Sequence, residues 1–143
     1  MSGSMPKLLT RRQARLAATG LAGVRAGIGV VALAAPKLVM RPWVGAGLGE
    51  ESGARLLGRS LGARDLALGL GAILAERHDA AVRGWIEAGG LADAGDLAAT
   101  CVSFKALPKA TRWAVLALIA GAVVAGGVIA PCVDRDDRDD RDD

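Results

Sequence analysis

The chain contains no tyrosine, one phenylalanine and three tryptophans in 143 residues. Soluble domains of this size draw much of their buried area from large rings, so the shortage argues against a large water-excluding core. Histidine is nearly missing too. The lone His78 has no second His or Cys near it, which removes the usual zinc spacings, and no Glu-x-x-His pair supports a carboxylate-bound metal. Ser60, Ser103 and Cys101 have no histidine within their own helical stretches to serve as a base, so no nucleophile–base pair is visible. Cys101 and Cys132 lack CxxC spacing and read as buried or interfacial thiols. Gly45–Glu50 (GAGLGE) has neither the GxGxxG spacing nor a GK[ST] ending, and reads as loop rather than phosphate cradle. We therefore expect no cofactor, no metal and no catalytic residue, and an enzyme is the less favoured class.

What is present is Ala, Leu, Val and 20 glycines, within a hydrophobic fraction of 52%. Small residues weaken a soluble helix but suit membrane helices that pack backbone to backbone. Net charge is +3; the last ten residues, seven Asp and three Arg, carry −4 and leave a body of +7. Such a body suits anionic lipid head groups. Nucleic acid is disfavoured, because the basic residues flank apolar runs instead of forming a patch with aromatics.

Four stretches carry the length or pattern of a membrane helix. The first, 16–36, is about 20 residues broken only by Arg25, enough for a bilayer core. A cleaved signal peptide is its rival, with Ala32-Leu33-Ala34 as a cleavage-like site, but Arg25 and the length of the run argue for a retained helix. The second, 56–76, is apolar yet holds Arg59, Arg64 and Asp65. The third, 80–107, is helical by composition but carries Arg83, Glu87, Asp93 and Asp96, so it inserts poorly without partners. The fourth, 113–131, is uncharged throughout. Between the first two, 37–54 reads as a connector, with Pro36 and Pro42 stopping helices and Trp43 at an interface. Gly23-xxx-Gly27 and Gly58-xxx-Gly62 offer close-packing faces.

The expected fold is all-α: a four-helix transmembrane bundle with a disordered charged C-terminal tail. Its parts are a basic N-terminal segment (1–15), the helical domain (16–132) and the tail (133–143), whose Asp/Arg repeat can bury nothing. Lys and Arg near the helix ends number nine against six, which favours a multi-pass plasma-membrane protein with both termini cytoplasmic.

Depth is more informative than orientation. Arg25, Arg64 with Asp65, and Asp93 with Asp96 each fall near the middle of a stretch, so three helices bring opposite charges to one level. The expected intramembrane polar network comprises Arg25, Arg59, Arg64, Asp65, Glu87, Asp93 and Asp96. Near-neutral pairing is the arrangement in which buried charge is tolerated. The favoured function is a structural or accessory interaction protein held together by that network. Its partners are the lipid bilayer and a protein or a second copy of the chain. The alternative is a proton- or ion-coupled transporter or channel component that uses the same carboxylates. An arginine beside each carboxylate lowers its pKa and works against proton carriage.

The strings LGRSLGARDLALGLGAILA (57–75) and WIEAGGLADAGDLAAT (85–100) resemble small four-helix membrane proteins of actinobacteria, loosely similar to the DoxX-like group. The resemblance spans about 16–131. It implies an integral membrane protein of unknown activity and carries over no catalytic residue.

Overall fold

The computed structural model describes residues 9–134. Among them are five α-helices: α1 (Arg11–Ala34), α2 (Pro36–Val44), α3 (Ser52–Arg77), α4 (Arg83–Val102) and α5 (Arg112–Val133). A short 3-10 turn, Leu48–Glu50, lies between α2 and α3, and the described residues contain no strand.

Helix α1 starts on a reciprocal cap. The Gln13 backbone N–H donates to the Thr10 hydroxyl (3.3 Å), and the Thr10 N–H donates to the Gln13 side chain (3.0 Å), which satisfies donors that the first turn would leave open. Small residues then bring α1 and α3 together antiparallel. Near one end Thr19 meets Glu76; further along, Gly69 sits on Ala22 and Ala26, Gly62 on Gly29 and Ala32, and Gly58 on Pro36 and Met40. A methyl placed on Gly62 would lie 2.9 Å from the Gly29 carbonyl oxygen, and one on Gly29 would lie 2.5 Å from the Leu66 nitrogen. Only glycine fits there.

Helices α4 and α5 also run antiparallel. Gly90 faces Gly126 midway, and the Asp134 carboxylate accepts from the backbone N–H groups of Val82 (3.3 Å) and Arg83 (2.9 Å). That contact caps α4, whose first turn has no side-chain cap of its own. The core gathers at the same end: Ala14, Ala18 and Ala22 of α1 against Ala72 and Ala75 of α3, with Val82, Ile86, Ile129 and Val133. It is built of alanine, in keeping with the shortage of rings.

The expected four-helix transmembrane bundle is overturned. Among the described residues the fold is all-helical, but it has five α-helices, of which only α1 and α5 are long and apolar enough to cross a membrane. Helices α3 and α4 have the length and not the composition. Their central charges, Arg64, Asp65, Asp93 and Asp96, find partners inside the molecule, so they are stable helices without being apolar ones. Nor is the 37–54 connector simply a loop. Pro36 opens α2 at its first turn, where its missing N–H costs nothing. Pro42 stands inside α2, a nine-residue helix held by burial of Met40 against Gly58. The Pro42 carbonyl accepts instead from the Thr111 hydroxyl (2.6 Å). Helix α4 stops at Val102, short of the expected 107, and the chain turns before Pro108 through backbone bonds from the Phe104 N–H to the Cys101 carbonyl (3.2 Å) and from the Ala106 N–H to the Ser103 carbonyl (2.8 Å).

Of the expected tail, Val133 is the last residue of α5 and fully buried, and Asp134 caps α4. The remainder, 135–143, lies outside the described residues, as do residues 1–8 of the basic N-terminal segment. Cys101 is exposed at the end of α4, Cys132 is buried at the end of α5, and both are free thiols.

Candidate functional site

Each charge of the central cluster comes from mid-helix. Arg25 lies on the face of α1 turned toward α3 and α4, with its side chain only 10% exposed. One guanidinium nitrogen, Nη1, donates to Asp65 Oδ1 of α3 at 2.9 Å. The other, Nη2, donates to the Asp93 carboxylate of α4 and reaches the Gly89 carbonyl at 3.4 Å. One cation thus ties three helices. Gly89, four residues before Asp93 and so on the same face, leaves room for the guanidinium; a methyl there would lie 3.3 Å from it.

Arg64 closes the other side. Its Nη2 donates to Asp96 Oδ2 (2.7 Å) and to Asp65 Oδ1 (3.2 Å), and its Nη1 donates to Asp96 Oδ1 (3.2 Å). The Arg64–Asp96 pair is bidentate, the strong form of a charge-assisted hydrogen bond. Asp65 therefore receives from both arginines and joins the two halves. Two guanidinium groups meet three carboxylates.

Two of the seven expected residues stand apart. Arg59 is exposed, and its Nε donates to the Leu33 carbonyl (3.3 Å). It sits ~140° around the helix from Arg64, so the two arginines differ in face as well as in level. Glu87 is exposed and accepts from Arg83 Nε at 2.6 Å. This bond pushes the Arg83 guanidinium above its usual range. The i, i+4 spacing makes Arg83 a nearer partner for Glu87 than anything on α1 or α3.

A third shell was not foreseen. The buried Thr100 hydroxyl donates to the Asp96 carbonyl (2.6 Å) and accepts from Trp43 Nε1 (3.2 Å). It fastens α2 to the turn of α4 that carries Asp96. The spacing Asp96-xxx-Thr100 is a signal for such back-bonding, but nothing in the sequence points to Trp43 as its donor.

The cavity that reaches Arg25, walled by Leu21, Trp85, Ile86 and Gly89, holds about 10 Å³. That is room for about one water. Among the described residues, no three His, Cys, Asp or Glu side chains gather as a metal ion would require. The arrangement can hold helices in register; it has the donors and acceptors of a lock. No family model, curated protein or solved structure matches the chain.

Proposed function

We propose that this is a membrane protein with a structural or interaction role, in which the Arg25–Asp65–Asp93 and Arg64–Asp65–Asp96 contacts lock α1, α3 and α4 together. One observation carries this: charge is turned inward and apolar surface outward. In α5 only 17% of the apolar stretch is buried within the molecule, and in α1 only 28%. A core helix of a soluble protein would be mostly covered. Leu118 and Val124 of α5, Val24 and Ile28 of α1, and Leu56, Leu70 and Leu74 of α3 are all exposed. An apolar surface this wide calls for lipid or a partner to cover it.

The start of α1 and the end of α5 share one end of the molecule, since Ala14 and Val133 belong to the same core. On this reading the start of α1 and the end of α5 lie on one side of the bilayer, and the excess of Lys and Arg near those helix ends favours the cytoplasmic side of a plasma membrane.

The test has two arms. After alkaline carbonate washing the chain should stay with the membrane pellet; its release into the wash overturns the membrane reading. In proteoliposomes the locked network should support no pH-dependent flux, and Asp65→Asn should lower thermal stability. A stable Asp65→Asn protein that has lost a flux present in the wild type would replace the lock with a conducting path.

A further inference from the structure

The central network does not balance. Arg25 of α1 and Arg64 of α3 supply two positive charges, against the carboxyl groups of Asp65 on α3 and of Asp93 and Asp96 on α4. No other charge compensates it. Arg59 of α3 donates to the Leu33 carbonyl, Lys37 and Arg41 of α2 pair with Glu50, and Arg83 pairs with Glu87 at the exposed start of α4. Helix α5 has no charged residue between Arg112 and Asp134. With every carboxyl ionised, the cluster would hold one excess negative charge away from bulk water, a form that burial disfavours.

The three carboxyl groups share the two guanidinium groups unequally. Asp96 accepts on both oxygens from Arg64, at 3.2 and 2.7 Å. Asp65 Oδ1 accepts from Arg25 (2.9 Å) and from Arg64 (3.2 Å). Asp93 accepts one bond, on Oδ2 from Arg25 Nη2, and that nitrogen also reaches the Gly89 carbonyl at 3.4 Å. Its Oδ1 accepts from no group among the described residues. Asp93 is also the one charged residue among the described residues that is buried, at 8% exposure, while Asp65 and Asp96 are half-buried. The carboxyl with the fewest donors is thus the one with the least water. A neutral acid suits that place, because its carbonyl oxygen, Oδ2, still accepts from Arg25 while Oδ1 carries the hydrogen.

We propose that the network is completed by one bound proton, held on Asp93, so that two guanidinium groups face two carboxylates and the lock loosens when that proton leaves. The inference deepens the lock reading above and makes it sensitive to pH. An unfolded Asp gives up its proton near pH ~3.9. A proton kept by the folded chain above that point stabilises it, and the gain is lost as the pH rises to where folded Asp93 ionises. Acid therefore favours the locked state, and alkali opposes it.

The test uses the full chain in neutral detergent, with His78→Gln to remove the one histidine. Measurements run from about pH 5.5 to about pH 8, above the ordinary Asp and Glu range. At the acid end, infrared spectra should show the carbonyl stretch of a neutral carboxylic acid, and Asp93→Asn should remove it. As the pH rises, the folding constant should fall about tenfold per unit, the slope of a single proton, until Asp93 ionises. Asp93→Asn should flatten that profile. The amide has the shape of the neutral acid and no charge, so this variant should match the wild type at the acid end, where Asp65→Asn should not.

A wild type without the neutral-acid band, or with a flat profile, overturns the proposal. So does a band that survives in Asp93→Asn, which would put the proton on another carboxyl. An Asp93→Asn chain that fails to fold, or is as damaged as Asp65→Asn, would mark Asp93 as an ionised partner of Arg25 and overturn it as well. Failure of the lock reading looks different, since it appears as a stable Asp65→Asn protein whatever the state of Asp93.

Discussion

Helices α1 and α3 and helices α4 and α5 form two antiparallel pairs, and they are joined by different means. In the first pair the backbones touch. Added methyl groups on Gly29, Gly62 and Gly69 would come within 3.0 Å of the opposite helix, several of them against backbone atoms. In the second pair Gly126 has ordinary room, with a methyl there 3.4 Å from the Gly90 Cα. The first pair also carries the charge: Arg25 bonds to Asp65 at its midpoint, whereas α5 has no charged residue between Arg112 and Asp134. Close approach and buried charge go together for a physical reason. An arginine can reach a carboxylate on the next helix with little strain, and shed its water, only where small residues let the backbones meet. The second pair, without charge to satisfy, can rest on side-chain contact alone.

The largest test of that contrast is to remove the charge from the first pair. Arg25→Ala leaves Asp65 with Arg64 only and Asp93 without its guanidinium, and breaking a buried pair this way costs about 3–5 kcal/mol. Asp65→Asn should act in the same direction. The triple variant Arg25→Ala, Asp65→Asn, Asp93→Asn should recover part of the loss, because no unpaired charge then remains. Thermal unfolding in detergent measures all three. Additive losses, with no recovery in the triple variant, would mean that the charges do not act as one network.

Next in size are the glycines. Gly62→Ala meets Ala32 Cβ, the Gly29 carbonyl and the Leu33 nitrogen at 2.7–3.0 Å, and overpacking of this kind costs about 1–3 kcal/mol. Gly69→Ala should behave alike, since Ala22 and Ala26 stand as close. Gly126→Ala is the counterpart on the second pair. Its methyl fits, and alanine is favoured over glycine inside a helix by about 0.5–1 kcal/mol, so stability should hold or rise. Equal losses at Gly62 and Gly126 would erase the difference between the two pairs.

How much of this could be read in the sequence depends on depth and on rotation. Depth is visible: Arg25, Asp65 and Asp93 interrupt apolar runs near their midpoints, and a charge so set has to find an opposite one. Rotation is harder. Arg59 and Arg64 lie on one helix, yet Arg59 reaches a backbone carbonyl of α1 and Arg64 a carboxylate of α4. Glu87 has the right composition for the cluster and is taken by a local partner. Helix α2 was hidden by its prolines, because the burial that holds it comes from α3 and not from its own nine residues. Helical length alone overstates the number of spanning segments among the described residues, because composition decides which helices can cross. Helices α3 and α4 are long enough, but Arg64, Asp65, Asp93 and Asp96 at their centres, paired inside the molecule, leave them short of the apolar composition that α1 and α5 have.

The smallest expected effect concerns a salt bridge that resembles the central ones only on paper. Arg83 and Glu87 are joined by a 2.6 Å bond at i, i+4 spacing, shorter than the Arg25–Asp65 contact of 2.9 Å. Distance alone would rank the surface pair first. Exposure reverses the order, because the Arg83 and Glu87 side chains are 56% and 51% exposed against 10% and 17% for Arg25 and Asp65. In water the attraction is weak, salt screens it, and fixing two long side chains costs entropy. Glu87→Gln should therefore leave the melting temperature within the scatter of the measurement, at low salt and at high salt alike. Asp65→Asn, measured beside it, should lose stability at both. If Glu87→Gln were as damaging as Asp65→Asn, the start of α4 would be covered by lipid or a partner, and the division between a locked interior and a solvated end would have to be redrawn.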